Sequence, residues 1–354
     1  MNVGRTDVDV LVVGAGPAGL ATAIEARLAC LTVMVLEPRE PAIDKACGEG
    51  LMPGALPALA RLGIRPDGHP LSGVSYRSGD LRVDHRWRSG SGLGVRRTVL
   101  SAALAERADE LGVARDEMKV TAIEQHDRSV TATGISTSAR PTSITARYLI
   151  GADGLHSTVR SLSGLSIAVP ERRRRFGLRQ HFFVAPWSDL IEVHWTPDVE
   201  VYVTPVAPDT VGVAVLGPRG TNLESAIRSI PALSRSLAAA RPASLLRGAG
   251  PFRQGASRRV DGRVLLVGDA SGYVDAITGE GIRLGLSQAK AAIDCLVAGR
   301  PALYEREWAR ATRDFRMLTS GLVGVAQSGL RSRIVPTAVA LPRVFGSVVE
   351  RLAR

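Results

Sequence analysis

Cysteine is scarce in this sequence, and the cysteines that are present lie far apart. The three thiols, Cys30, Cys47 and Cys295, form neither a disulfide framework nor the paired spacing of a zinc site. We therefore expect reduced cysteines and no metal centre.

Long apolar runs are also missing. No stretch approaches the roughly 18 consecutive apolar residues that a membrane-spanning helix requires. The chain enters its first apolar run after a few polar residues, so a cleaved signal peptide is not expected. These absences predict a cytoplasmic protein without an integral membrane segment, and they leave open a peripheral contact with a membrane.

Lysine is nearly absent, because Lys45, Lys119 and Lys290 are the only lysines among 45 basic residues. The net charge of +11 therefore comes from arginines dispersed along the chain. The one run, Arg172 to Arg175, has no interleaved aromatic residues and matches no nucleic-acid-binding module. We predict a solvated surface turn there and no nucleic-acid partner. An anionic substrate, NADPH or a membrane surface stays open as a partner of this run.

The stretch from Asp7 to Glu37 carries the strongest positive signal. An apolar run, three glycines, an alanine-rich helix and a second apolar run follow one another, which is typical of a dinucleotide-binding βαβ unit. Gly14 permits a sharp turn, and Gly16 lets a pyrophosphate approach the main chain. Gly19 lets the helix pack closely on the sheet.

The helix that begins at Pro17 and Ala18 would receive the phosphates at its N-terminus, where N–H groups lack partners. Glu37, at the end of the second apolar run, is placed to accept hydrogen bonds from the ribose hydroxyls. Its charge would repel a 2′-phosphate, so NADP is disfavoured here. The unit predicts a bound dinucleotide, and by itself it leaves NAD and FAD open.

The segment after this unit combines a thiol, a carboxylate and glycines. Cys47, Gly48 and Glu49 lie in a glycine-bracketed loop that we expect to face the far end of the dinucleotide. Cys47 is either a thiol close to the cofactor or a small buried filler, because a reactive cysteine needs an electropositive, accessible setting. Glu49 is the better candidate for positioning cofactor or substrate.

Two later segments repeat the order of strand, tight turn and helix. Residues 148–150 predict a buried strand, and Asp153 in the following turn lies where parallel sheets bind ligands. Residues 264–267 predict another buried strand, which Gly268 and Asp269 follow. Asp269 has the alternative interpretation of a structural N-cap.

The region from Ile167 to about Gly255 alternates in the manner of strands and contains no GxGxxG. It predicts an antiparallel sheet inserted as a second domain. His194 is a weak candidate for a pocket base, and sheet packing is its ordinary interpretation, because a general base must be shown by geometry. The apolar stretch near Leu318 to Ala340 would cover the pocket, form a dimer face or touch a membrane, and the sequence leaves these three open.

The motifs GAGPAG with Glu37, GADG at 151–154 and GDASGYVDAITGEGI at 268–282 together resemble one FAD-dependent superfamily. It includes para-hydroxybenzoate hydroxylase-like monooxygenases, geranylgeranyl reductases and flavin-dependent halogenases. The match covers nearly the whole chain. It implies an α/β fold with a Rossmann-like FAD-binding domain of the GR2 type, an inserted antiparallel β-sheet substrate domain and a helical C-terminus. It also implies FAD as the tightly held nucleotide.

The resemblance predicts domain boundaries. The FAD-binding domain would comprise residues 1–166 and 256–300, and the substrate domain residues 167–255. A hairpin near 71–90 would belong to the substrate domain, and residues 301–354 would form C-terminal helices.

The resemblance also assigns roles. Asp269 would bond the ribityl chain, and the backbone from Gly279 through Gly281 to Ile282 would face the isoalloxazine. Arg97 would contact the FAD ribose or pyrophosphate side, and Asp153 would serve both FAD and NAD(P)H. The other positions assigned to FAD are Pro38, Arg39, Cys47, Gly48, Val120, Ala152, Gly154, Gly268 and Glu280.

Within the superfamily the signals divide. The Thr278–Gly281 segment and the CGEGLMP loop resemble the geranylgeranyl reductases, but the aromatic-rich YxWxFPK sequence of those reductases is missing. The corresponding VEVYVTPVAPDTVGVAVL resembles bacterial hydroxylase-like flavoproteins, some of which act on phenolic lipids or polyketides. The halogenase signature WxWxIP is absent, and no lysine lies in a comparable setting.

These features favour an NAD(P)H- and O2-dependent monooxygenase that hydroxylates a small, electron-rich substrate through a C4a-hydroperoxyflavin. A dry pocket would protect the oxygenated flavin, and no protein nucleophile is required. The alternative is a reductase or dehydrogenase that acts on an isoprenoid or other alkene with reduced FAD and without O2. A flavin-binding module without catalysis is the third interpretation.

Overall fold

The structure is a computed structural model that describes residues 6–39, 43–136, 141–170 and 174–353. Its strands are β1 (Val8–Val13), β2 (Val33–Leu36), β3 (Gly50–Leu51), β4 (His69–Leu71), β5 (Gly73–Ser78), β6 (Leu81–Arg86), β7 (Gly92–Gly94), β8 (Ala114–Asp116), β9 (Met118–Gln125), β10 (Val130–Ser136), β11 (Pro141–Gly151), β12 (Ser166–Ile167), β13 (Phe176–Phe183), β14 (Leu190–Trp195), β15 (Glu200–Ala207), β16 (Thr210–Gly217), β17 (Arg241–Pro242), β18 (Arg247–Ala249), β19 (Gly255–Ala256), β20 (Val260–Asp261) and β21 (Val264–Leu266). Its helices are α1 (Pro17–Leu28), α2 (Leu56–Arg61), α3 (Arg97–Glu110), α4 (Thr158–Leu162), α5 (Leu223–Arg228), α6 (Pro231–Ser236), α7 (Gly281–Val297), α8 (Tyr304–Ala326), α9 (Ile334–Ala340) and α10 (Pro342–Ala353).

The first sheet brings together the strands that precede the three glycine motifs. Its order is β20-β21-β11-β1-β2-β8, and the pairs from β21 to β8 are parallel. Leu36, Val13, Gly151 and Leu266 form one row across four neighbouring strands. Because parallel strands end at the same edge, the turns that follow them meet there.

Helix α1 packs unusually close to this edge. A Cβ added at Gly19 would lie 1.8 Å from the Gly14 carbonyl oxygen, so only glycine fits this contact. On its other side, a Cβ at Gly285 of α7 would lie 3.1 Å from the Cβ of Ala18. Helices α1 and α7 therefore cover one face of β1, and the apolar residues of this strand are buried on both faces.

The second sheet has the order β17-β13-β16-β15-β14-β5-β6. Strands β13 to β16 are antiparallel, as predicted, and the hairpin around Gly79 is confirmed as β5 and β6. The hairpin joins the sheet through a parallel pair between β5 and β14. Val201, Val213 and Val215 lie on one face of this sheet and pack against α5 and α6. These two short helices therefore cover that face. The division into domains stays a prediction.

The C-terminal segment is helical, as expected. Its helices pack on the hairpin, where the rings of Tyr76 and Phe345 lie 4.9 Å apart and His85 Nε2 lies 2.8 Å from Glu350 Oε1. None of the helices in the described part of the chain combines the length and apolarity needed to cross a bilayer.

The expectation of a surface turn at the arginine run is wrong for its last member. Arg175 is 5% exposed and pairs with Glu200 and with Asp275, whose oxygen lies 3.2 Å away. It is buried because it directly precedes β13, which places its side chain between Glu200 of β15 and Asp275 of the third motif. Arg172 and Arg173 lie outside the described residues.

Candidate active site

The turns of the three motifs touch one another at the carboxyl edge of the first sheet. Gly14 has a φ of +107°, and a Cβ there would lie 2.6 Å from the Ala152 carbonyl oxygen. Gly268 has a φ of +60°, and its Cβ would lie 2.8 Å from the Cβ of Ala18. Both glycines are therefore required by conformation and by space.

A cationic groove lies in front of these turns. Of the described atoms, only Arg97 Nη2, at 3.8 Å, would approach a Cβ placed on Gly16. The buried Nε of Arg97 finds no hydrogen-bond partner among the described residues. Lys45 Nζ lies 3.4 Å from the Cβ position of Gly154. Burial, together with Arg39 and Arg97, lowers the pKa of Lys45. A diphosphate would satisfy these cations.

The position of Lys45 beside the second motif was missed by sequence reasoning. The residue stands two positions before Cys47, and nothing in its spacing relates it to Gly154. Only the folded loop brings Lys45 beside the second motif.

A cavity of about 260 Å³ continues the groove at the end of β2. Its walls include Glu37, Arg39 and Ser101, and the buried Ser101 hydroxyl finds no partner among the described residues. The Ala15 N–H donates to Glu37 Oε2 at 3.1 Å, and Arg39 Nε donates to Glu37 Oε1 at 2.7 Å. Burial opposes ionisation, but these donors hold the pKa of Glu37 below its usual value. The cavity can hold a nucleoside beside a carboxylate.

The third motif leads into α7, which begins at Gly281. The first bond within this helix runs from Leu284 N to Glu280 O at 3.1 Å, so the preceding amides have no carbonyl partner in the helix. A Cβ at Gly281 would lie 3.6 Å from the ring of Tyr273, which closes the groove on this side. Burial raises the pKa of Glu280 to about 7, although Arg283 opposes this effect. Tyr273 is a second residue that sequence reasoning missed.

The loop between β2 and β3 is fixed to the second sheet. Glu49 accepts a hydrogen bond from the Arg97 N–H at 2.7 Å, and its Oε2 lies 2.5 Å from His181 Nε2. Thr204 Oγ1 donates to the Gly48 carbonyl at 2.9 Å. Glu49 has a φ of 58°, an uncommon conformation for a buried glutamate. The second sheet therefore holds the loop against the groove.

A family model described as "FAD binding domain" matches residues 7–299. The chain belongs to this FAD-binding family. It is an FAD-dependent oxidoreductase, and the groove fits FAD. The nucleoside-sized cavity suits the adenosine, the cations near Gly16 and Gly154 suit the diphosphate, and the start of α7 suits the flavin.

Two relatives and one solved structure show the breadth of the family. The chain is 28% identical over 320 residues to menaquinone reductase of Mycobacterium tuberculosis, covering 81% of this chain and 76% of that protein. It is 28% identical over 308 residues to rifampicin monooxygenase of Streptomyces venezuelae, covering 79% and 62%. The p-nitrophenol 4-monooxygenase of Pseudomonas putida has the same fold, with a TM-score of 0.80, 21% identity and 99% and 97% coverage.

Within the FAD-binding fold, Asp269 and Asp153 have different settings. Asp269 is half-buried, and burial raises its pKa while Arg97 and Lys45 lower it. Asp269 does not cap α7, because Glu280 is the N-cap residue of that helix. Asp153 Oδ1 accepts from Ser157 Oγ at 2.5 Å, and its Oδ2 accepts from the Val159 N–H at 3.0 Å. Its carboxylate therefore shapes the start of α4, and a direct role toward FAD stays a prediction.

Several other assigned positions have distinct settings. The Val120 side chain is 4% exposed and lies in an apolar cluster with Leu11 and Leu36, so it does not line the adenosine cavity. A role of Val120 toward FAD would have to use its main chain. Pro38 is exposed at the mouth of the groove, beside Arg39.

Cys47 does not have the setting of a reactive thiolate. Burial raises the pKa of its thiol, more than the nearby Arg97 lowers it. The Glu49 N–H donates to Cys47 Sγ at 3.4 Å. A thiol held protonated in this way is a poor nucleophile.

His194 is not part of the flavin site. Alternate residues of a strand face opposite sides of the sheet. Val193 is paired with Tyr202 on the next strand, and the same row of paired residues continues to Arg179. The side chains of this row face the cofactor motifs. His194 therefore points to the other face, where its Nε2 lies 3.1 Å from Glu192 Oε2. This setting agrees with sheet packing, the ordinary interpretation of His194, and gives no support to its weak candidacy as a pocket base.

A buried ionic network supports the third motif from the second sheet. Glu200 is fully buried and pairs with Arg175 and with Arg331, the latter at 2.5 Å. Asp275 of the motif joins through Arg175, and burial raises the pKa of Asp275 to about 6. Arg331 follows α8, so this network links the flavin motif with the C-terminal helices.

Proposed function

We propose that this flavoprotein is a monooxygenase that uses NAD(P)H and O2 to hydroxylate a small, electron-rich, apolar substrate. The supporting observation is the environment beside the third motif. Met52 and Ile277 are buried beside this motif, and the terminal methyl of Met52 lies 3.9 Å from the Cβ position of Gly279. Burial also raises the pKa of Cys47, Asp269 and Tyr273, so this part of the site disfavours charge. Oxygen transfer to an electron-rich substrate requires such a dry setting.

FAD, when bound, supplies the hydride acceptor and the reaction with O2. The chain's own residues position it. Lys45 and Arg97 would hold the diphosphate, Glu37 the ribose, and the first amides of α7 the polar edge of the flavin ring. The positive end of the α7 dipole favours negative charge at that edge. Tyr273 would close the groove above it.

The substrate side would be apolar. Met52, Ile191, Trp195 and Ile277 belong to one buried cluster that joins the segment after β3, the second sheet and the third motif. Tyr202 is partly buried and packs against this cluster, and its hydroxyl donates to the Ile277 carbonyl at 2.8 Å. We infer that a phenolic, polyketide or lipid-like molecule binds by displacing or extending this cluster, with orientation set by shape rather than by charge.

A second candidate function is the reduction of an isoprenoid or other alkene without O2. Hydride addition to an alkene requires a proton donor, and under this hypothesis the Cys47 thiol, which burial keeps in its neutral form, would supply the proton. The 28% identity to a menaquinone reductase supports this alternative. The reductase hypothesis predicts that Cys47→Ser lowers turnover strongly, whereas the monooxygenase hypothesis predicts little change.

A comparison of turnover with and without O2 distinguishes the two candidate functions. Purified protein with bound FAD is mixed with NADH or NADPH and with candidate phenolic and isoprenoid substrates, in air and under anaerobic conditions. The proposal predicts substrate-dependent oxidation of the nicotinamide in air and only a single flavin reduction without O2. Continued turnover without O2 would contradict the monooxygenase proposal and support the reductase hypothesis. Bound flavin that neither NADH nor NADPH reduces would contradict both hypotheses.

A further inference from the structure

The outer side of the last two helices exposes large apolar side chains. Leu341, Val344 and Val348 follow one side of α10 and are 51%, 57% and 39% exposed, and Val339 at the end of α9 is 37% exposed. Phe345, on the other side of α10, is 8% exposed and packs on the hairpin. Helix α10 is therefore apolar both toward the protein and toward solvent.

The exposed charged residues of α9 and α10 are arginines, because Glu350 of α10 is partly buried and bonds with His85 and the Arg88 N–H. Between Phe315 and Val349 the sequence contains no aspartate or glutamate. Arg333 and Arg343 are both exposed beside the apolar residues. We name Val339, Leu341, Val344, Val348, Arg333 and Arg343 the α9–α10 surface.

We propose that the α9–α10 surface docks on the headgroup region of an anionic lipid bilayer. Val344 and Val348 would enter the acyl boundary, and Arg333 and Arg343 would contact lipid phosphates. A symmetric contact between two copies fits the pattern less well, because it would bring arginines of equal charge together without an acid to pair them. The charge pattern thus selects an anionic partner.

The position of the surface gives docking a consequence for the enzyme. Phe345 and Val335, on the inner side of the same helices, belong to the apolar cluster that also contains Met52 and Ile277 beside the cofactor motifs. Only this helical layer separates the α9–α10 surface from that cluster. If the substrate is lipid-like, as proposed above, docking places its source next to the site; docking itself does not depend on the reaction.

The test is flotation of the FAD-loaded protein with vesicles. One set contains phosphatidylcholine alone, and the other contains phosphatidylcholine mixed with phosphatidylglycerol. We expect binding to the anionic vesicles that weakens as salt is raised, and little binding to the neutral ones. Absence of binding to both sets would overturn the proposal.

Variants test the residues. Replacing Val344 and Val348 together by aspartate should lower binding by at least about tenfold, and Arg343→Gln by about fivefold. The double serine variant at the same valines removes the apolar contact without adding charge and should also bind less. Ile135→Asp is the matched control, because Ile135 is 50% exposed on β10, and it should bind like the wild type.

The controls separate docking from folding and from self-association. Each variant should keep its flavin content and melting temperature, since the replaced side chains are exposed. If the wild type is a dimer in solution that the aspartate variant dissociates, and vesicles are not bound, the surface is an interface between copies and the proposal is wrong. Equal vesicle binding by wild type, valine variants and control would also contradict it.

Discussion

Glu49 Oε2 and His181 Nε2 lie 2.5 Å apart, although the residues are separated by 132 positions in the chain. Glu49 belongs to the loop between β2 and β3 and His181 to the second sheet, and both are almost fully buried. His181 Nδ1 in turn lies 2.9 Å from Ser244 Oγ. This pair fixes where the second sheet stands relative to the FAD groove.

Removing this pair should destabilise the fold. Glu49→Ala leaves the Arg97 N–H and the His181 imidazole without their acceptor, so we expect a loss of about 3 kcal/mol in the free energy of unfolding. Glu49→Gln should cost less. A double-mutant cycle with His181→Ala, measured by urea denaturation, should give a coupling energy of about 1–3 kcal/mol.

The control for that cycle is an exposed ion pair. Glu224 pairs with Arg228 at 2.6 Å with both side chains largely exposed, and Glu224→Gln should change the free energy of unfolding by less than about 0.5 kcal/mol. A coupling energy near zero between Glu49 and His181 would show that the two sheets are held together by other contacts.

Alanine variants at Gly14 and Gly16 should distinguish an effect on folding from an effect on cofactor binding. Gly14→Ala strains a positive φ and pushes its Cβ against the Ala152 carbonyl, so it should lower stability by more than about 2 kcal/mol. Gly16→Ala meets only Arg97 and should leave the apoprotein stable, while it weakens FAD at least about tenfold by occupying phosphate space. Thermal melts and flavin fluorescence titrations measure both, and equal effects of the two variants on stability would contradict this division.

Glu280 should make stability depend on pH. Burial raises its pKa from 4.5 to about 7 in the folded protein. A carboxyl group whose pKa is raised in the folded protein adds to the free energy of unfolding while it is protonated. This stabilising contribution of Glu280 is fully present below pH 4.5 and is lost as the pH rises through about 7. Glu280→Gln cannot ionise, so between pH 5 and pH 8 its free energy of unfolding should rise relative to the wild type by roughly 2–3 kcal/mol. A constant difference between the two proteins over this range would show that Glu280 ionises normally.

Cys47 should react slowly with alkylating reagents. Burial raises the pKa of its thiol, whereas Cys30 is exposed and serves as an internal reference. With iodoacetamide at neutral pH, peptide mass spectrometry should show modification of Cys47 at least about tenfold slower than of Cys30. Faster labelling of Cys47 would reveal an activated thiol and would strengthen the reductase alternative.

The sequence was sufficient to predict the groove because its signals are local. Each of the three motifs is a short strand, turn and helix, and parallel strands must end at one edge, which is where Val13, Gly151 and Leu266 align. Alternation along β13 to β16 likewise predicted the second sheet. These features depend on residues a few positions apart.

The contacts that complete the site join distant parts of the chain, and no local pattern encodes them. Lys45 reaches Gly154, Arg331 reaches Glu200, and Glu49 reaches His181 only after the sheets are assembled. The face of His194 was also beyond the sequence, because alternation gives two faces without saying which one meets the cofactor. Sequence reasoning therefore found the cofactor and underestimated the network that positions it.

Labelled oxygen gives the most direct test of the proposed monooxygenase. The FAD-loaded protein is incubated with a turned-over substrate, NAD(P)H and ¹⁸O2, and the product is analysed by mass spectrometry. The account predicts a product that contains one oxygen atom from ¹⁸O2 for each nicotinamide oxidised. A product that is reduced, or oxygenated without the label, would contradict it.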